Sequence, residues 1–153
     1  MPSKSKVEEE ISSYIADKLS SCTQQFVDFD GFTIEEKAVQ AKTTMLEDSV
    51  ILDISYPVIV KKGTLKATLS DSRKRFEVRI GRIYDVSEDI IKGQVQDPEN
   101  ICFNCLMKFG TENDLFIDLE RVEDSIIFTI VDENSVLNEE PYEYKFVNKY
   151  KVE

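Results

Sequence analysis

Two stretches of this chain alternate apolar and polar residues, and the gaps inside each are too short to hold a crossover helix. In the first, Val39, Ala41, Thr43 and Met45 share one side of a segment from Ala38 to Leu46. Glu47-Asp48 reads as a hairpin tip, after which Val50, Leu52, Ile54 and Tyr56 alternate with Ile51, Asp53 and Ser55. Pro57 lacks a ladder donor and marks an edge, bend or bulge. Val58 and Val60 resume the strand, Lys61-Lys62-Gly63 turns it, and Leu65, Ala67 and Leu69 follow. A further strand places Phe76, Val78 and Ile80 inward, with Arg75, Glu77 and Arg79 outward. In the second stretch Leu115, Ile117 and Leu119 lead through a turn at Glu123-Asp124 to Ile126, Phe128 and Ile130. A loop from Asn134 to Pro141 then precedes Tyr142, Tyr144 and Phe146. Strands joined this closely must pair antiparallel.

Helical spacing fills the rest. Val7, Ile11, Tyr14, Ile15, Leu19, Cys22 and Phe26 recur at three- and four-residue steps, which predicts an N-terminal amphipathic helix. Asp30-Gly31 then reads as a turn. Ile83, Val86, Ile90, Ile91 and Val95 mark one face of a second helix. Asp97-Pro98 has the form of an N-cap and first helical residue, predicting that a third helix starts there. Its inward stripe would be Ile101, Cys102, Cys105, Leu106 and Phe109, with Gly110 as the stop. The order helix, strands, two helices, strands predicts an α+β fold. An antiparallel sheet would be packed by the first helix and the central helix pair, with a cystatin-like wrap as the expected topology. No Pro-, Gly- or Ser-rich linker interrupts the sequence, so residues 1–153 read as a single domain, with 1–6 as a flexible lead-in.

Composition bears mainly on function. There are 30 acidic residues against 19 basic ones, a net charge of −11. Such a surface repels phosphate backbones and anionic headgroups, which disfavours nucleic acid and direct membrane contact. The basic cluster Arg73-Lys74-Arg75, with Arg79 and Arg82, is too short to reverse that field and reads as the solvent face of a strand. Histidine is absent, which removes the commonest general base, the Ser-His-Asp and Cys-His arrangements and all His-containing metal sites. No glycine loop has the phosphate-cradling form, and no run is long and apolar enough to span a bilayer. The N-terminus lacks the apolar core of a signal peptide, so the chain as written would stay in the cytosol. These features predict neither enzyme activity nor a cofactor.

Cys102-Phe103-Asn104-Cys105 is the sharpest local motif. A redox enzyme places the first sulfur at a helix N-terminus, whereas a start at Asp97 would put Cys102 a turn inside. Buried apolar cysteines, a local disulfide and redox or metal chemistry all remain open for Cys102 and Cys105. Cys22 reads as a small inward residue of the first helix. The pairs Glu35-Glu36, Glu47-Asp48, Glu88-Asp89, Glu123-Asp124 and Glu139-Glu140 fall at turns or solvent faces, unlike the carboxylates of a glycosidase cleft. Asp132-Glu133-Asn134-Ser135 resembles part of a cation loop but lacks the glycine and terminal Glu of an EF-hand. Tyr142, Tyr144, Phe146 and Tyr150 form either an aromatic docking strand or the buried face of a strand.

Two longer segments carry a resemblance. Arg79 to Val86 running on to Asp97 to Leu106, and Ile127 to Ser135 ending in Phe146 to Tyr150, resemble the soluble region of uncharacterised DPANN-archaeal proteins. The family's upstream pilin-like hydrophobic segment has no counterpart in this sequence. The resemblance covers most of the chain and carries no site residues. It implies a tethered, extracytoplasmic domain whose native chain extends upstream of Met1, a setting in which a local disulfide is stable. The expected function is therefore a non-enzymatic binding or structural domain of a membrane-anchored surface protein, presenting an acidic face or a sheet edge to a protein partner. The alternatives are a thiol-disulfide or metal-dependent protein using Cys102 and Cys105, and a small-ligand carrier.

Overall fold

The computed structural model describes residues 1–23, Phe26 and residues 29–149. Among these the class is α+β, with three helices and two antiparallel sheets. The chain divides into two compact units: Pro2–Met45 with Ile51–Phe76, and Leu46–Val50 with the chain from Glu77 onward.

In the first unit, Ser3 caps helix α1 (Lys4–Cys22) by accepting from the Lys6 N–H at 3.3 Å. Residues 4–6 form the helix's first turn. The helix packs along strand β2 (Gln40–Met45). Ser12 Oγ accepts from the Thr43 N–H at 2.8 Å, and Glu8 Oε1 accepts from the Met45 N–H at 2.7 Å. Val7, Ile11, Ile15 and Leu19 are half-buried, as their spacing predicts. Tyr14 and Cys22 are exposed, against expectation. A helix of 19 residues is about 28 Å long. Its strand of 6 residues is about 20 Å long, so the last turn runs past the end of β2, and the C-cap residue Thr23 shares a hydrogen bond with the Tyr56 hydroxyl at 3.2 Å.

Strand β3 (Val50–Lys62) is the spine of this sheet, pairing with β1 (Thr33–Glu36), β2 and β4 (Leu65–Phe76). A strand has two edges, so two of its three partners share one. Glu36 pairs with Val58, and the Lys37 N–H reaches the Pro57 carbonyl at 3.0 Å. N–H and C=O of one strand residue point the same way, so Pro57's missing donor falls where β1 ends. Leu52, Val58, Thr43 and Met45 are buried here. The turn into β4 runs through Gly63, at φ 59°. The two strands expected between Leu65 and Ile80 are one, β4, which ends at Phe76.

The second unit holds helices α2 (Ile80–Gln96) and α3 (Phe103–Asn113) and the sheet β5 (Phe116–Val122), β6 (Ser125–Leu137), β7 (Glu140–Lys149), in that order. Its core joins Ile83, Val86, Ile90, Leu106, Leu115, Ile126, Phe128 and Ile130. Helical and period-two spacing converge on one interior, with Phe128 and Ile130 at 0% exposure. Phe146 stacks on Phe128 with centroids 4.9 Å apart. Val78 is buried outside any strand, and Ile80 opens α2 instead of closing a strand. Val95, expected inward, is exposed near the end of α2.

Two boundaries differ further from the sequence expectation. The loop expected from Asn134 to Pro141 contracts to a turn at Asn138-Glu139, both with positive φ, because β6 continues past an irregularity between Asp132 and Val136. No helix starts at Asp97-Pro98. The Asp97 carboxylate accepts from the Asn100 N–H at 3.2 Å and from the Asn100 side chain, closing a local turn, and α3 begins at Phe103. It runs past Gly110 and ends at Asp114, in the left-handed region at φ 53°.

Candidate functional site

The later start of α3 changes the setting of its cysteines. Cys102 is the N-cap residue, and its sulfur accepts from the Cys105 N–H at 3.3 Å. Cys102 and Cys105 are joined by a disulfide across a Cα–Cα distance of 5.2 Å, within the usual range for such bonds. Cys102 is exposed and Cys105 half-buried, so Cys102 is not part of the inward stripe. The pair lines a cavity of about 320 Å³ between α2 and α3, together with Ile90, Phe109, Asp89 and Asp97.

Strand β4 is the second feature. All 12 of its residues are exposed, among them Leu65 and Leu69. Its partner β3 is half-buried along most of its length. Among the described residues no other strand pairs with β4, which leaves one edge of its backbone open. Lys66, Arg73, Lys74 and Arg75 stand on it against Asp71 alone. Arg73 Nε lies 3.4 Å from Asp53 on β3. The sequence hid the continuity of this strand because Ser70-Asp71-Ser72 has the composition of a loop. The usable signal was the lack of any Gly or Pro between Leu65 and Phe76.

The residues expected on a docking strand lie elsewhere. Tyr142, Tyr144 and Phe146 sit on β7 with half-buried side chains packed against the core. Their neighbours Glu143, Lys145 and Val147 face outward. Tyr150 lies outside the described residues. Burial pushes the Tyr142 and Tyr144 phenols above their ordinary pKa, and the Tyr144 charge adds to the effect on Tyr142.

Asp132 is fully buried and held by neighbouring donors. Its carboxylate accepts from Arg79 Nε at 3.0 and 3.2 Å, from Arg79 Nη2, from the Ser135 hydroxyl and from the Asn134 N–H. Burial pushes its pKa upward, but the hydrogen bonds of Arg79, Ser135 and Asn134 outweigh that and hold it below the ordinary carboxylate value.

No family model, curated protein or solved structure matches this chain.

Among the described residues no three His, Cys, Asp or Glu side chains cluster as metal ligands, and no helix is long and apolar enough to cross a membrane. Several of the carboxylate pairs stand in exposed ion pairs: Glu35 with Lys61, Glu47 and Asp48 with Arg82, Glu88 and Asp89 with Lys92. Arg79, counted with the basic cluster in the sequence, is committed to Asp132. Arg82 bridges Glu47 and Asp48 at 2.8 Å each. The remaining members, Arg73, Lys74 and Arg75, all lie on β4.

Proposed function

We propose that this chain is a non-enzymatic protein-binding domain of a membrane-anchored surface protein, and that it receives an acidic, extended segment of a partner protein alongside β4. The observation that carries the reading is the uncovered strand itself. A strand with one open edge and neither face buried offers main-chain donors and acceptors to an incoming strand, which is how β-augmentation gains affinity. Lysine and arginine on an edge also discourage pairing between like strands, which suits an edge reserved for an oppositely charged partner. On a protein of net charge −11, a strand with four basic side chains and one acidic one is the local exception, and it selects acidic segments by charge. The Cys102–Cys105 disulfide supports an extracytoplasmic setting, since such bonds persist in oxidising compartments.

The test is a titration of the isotope-labelled chain with two eight-residue peptides, one alternating Glu with Val and the other alternating Lys with Val. The acidic peptide is expected to shift amide resonances along β4, and to bind more weakly as salt is raised. Reversing Arg73, Lys74 and Arg75 to Glu should abolish that binding. Shifts confined to β7, or equal binding of both peptides, would overturn the assignment. A salt-resistant self-association mapping to β4 would make a second copy the occupant and refute the acidic partner.

A further inference from the structure

We propose that Cys102–Cys105 is an exchangeable disulfide that accepts two electrons from uncharged or cationic thiols, with Cys102 as the sulfur attacked. The bond spans three positions at the start of one helix, so it staples no distant elements, unlike a disulfide that closes a long loop. Of the two sulfurs, Cys102 belongs to an exposed residue and Cys105 to a half-buried one, so an incoming thiolate meets Cys102 first. The Cys105 N–H already points at the Cys102 sulfur, and it can stabilise Cys102 as the thiolate that leaves in the second step of exchange. Beside the pair lies the cavity of about 320 Å³, apolar at Ile90 and Phe109, with Asp89 and Asp97 on its wall. Asp97 and Asp89, the latter shared with Lys92 at 3.6 Å, repel an anionic thiol and attract a cationic one.

A thiolate of a dithiol reductant attacks Cys102 Sγ, the Cys102–Cys105 bond breaks, and Cys105 leaves as a thiolate that takes a proton from water. The reductant's second thiolate then attacks its own sulfur in the mixed disulfide. That step closes the reductant's disulfide and releases Cys102, which is protonated in turn. Two electrons and two protons pass from reductant to protein. The cysteine pair belongs to the second unit and β4 to the first, and failure of either assignment leaves the other standing.

The experiment uses the full chain with Cys22→Ser, which removes the one other cysteine. Folded protein is treated with dithiothreitol, quenched with an alkylating reagent at successive times and weighed by mass spectrometry. Reduction is expected while the circular dichroism spectrum stays native, with Cys102 alkylated at least ten-fold faster than Cys105 afterwards. Exchange rates are then compared for cysteamine, 2-mercaptoethanol and mercaptoethanesulfonate, using an unstructured peptide of residues 97–108 as reference. The protein should prefer the cation over the anion several-fold more than the peptide does, and Asp89→Asn with Asp97→Asn should erase the surplus. Reduction only under denaturing conditions would overturn the proposal. So would preferential attack at Cys105, and a charge preference equal to the peptide's would refute the specificity.

Discussion

Arg79 reaches Asp132 side-on, its Nε 3.0 and 3.2 Å from the two carboxylate oxygens, and so ties the segment before α2 to the irregularity in β6. The same guanidinium donates to the carbonyls of Asn113 and Asp114 at 3.2 and 2.9 Å, closing the end of α3 onto the same point. Three elements of the second unit meet at one side chain.

Removing that cation leaves a carboxylate at 0% exposure without its charge partner. Arg79→Ala is expected to lower stability by roughly 3–5 kcal/mol, as breaking one side of a buried pair does. Chemical denaturation followed by circular dichroism measures it.

The pair also sets an acid limit. Asp132's pKa is lower in the folded chain than its ordinary value of roughly 4. Its stabilisation is therefore fully present above that value and is lost as pH falls through the lower, folded one. Unfolding midpoints measured downward from pH 5 should fall more steeply in the parent chain than in Asp132→Asn. Identical slopes would remove Asp132 from the acid response.

Two glycines of α2 predict opposite signs. A Cβ on Gly81 would meet the Leu46 carbonyl oxygen at 2.1 Å, whereas one on Gly93 meets nothing within 4 Å. Gly93→Ala should stabilise by about 0.5–1 kcal/mol through helix propensity. Gly81→Ala should destabilise by about 1–3 kcal/mol, because the backbone must move aside. Thermal melts of the two variants decide it, and a shared sign would contradict the close approach.

Tyr142 and Tyr144 have raised pKa values because burial disfavours their charged forms. Stability from that burial is complete below the ordinary phenol value of about 10 and is lost as pH rises through the folded values. Absorbance titration at 295 nm should show part of the tyrosine signal lagging behind that of the urea-unfolded chain. A coincident curve would place these rings in water.

Cys22, expected inward, is exposed, so Cys22→Ser should change stability by no more than about 0.5 kcal/mol. Its thiol should react with a maleimide in the folded state without denaturant. Protection until unfolding would restore the inward reading.

Much of the second unit was legible in the chain. Ile83, Val86, Ile90, Leu106, Ile126, Phe128 and Ile130 all take the interior positions their spacing indicates. A helix or strand with one apolar face has few ways to bury it. Local chemistry misled where a residue had two uses: Asp97 caps a turn instead of a helix, which moved the start of α3 to Phe103 and changed the setting of Cys102.

By itself the sequence determined the α+β class, the antiparallel pairing and most of the core, because side-chain periodicity and connection length are local properties. Only the tertiary structure decided that β4 is one uncovered strand, that Asp132 belongs to Arg79, and that Cys102 stands at a helix start beside a cavity. Exposure, ion pairing and sulfur geometry depend on which distant segments arrive at a position, and no spacing within a single segment encodes that.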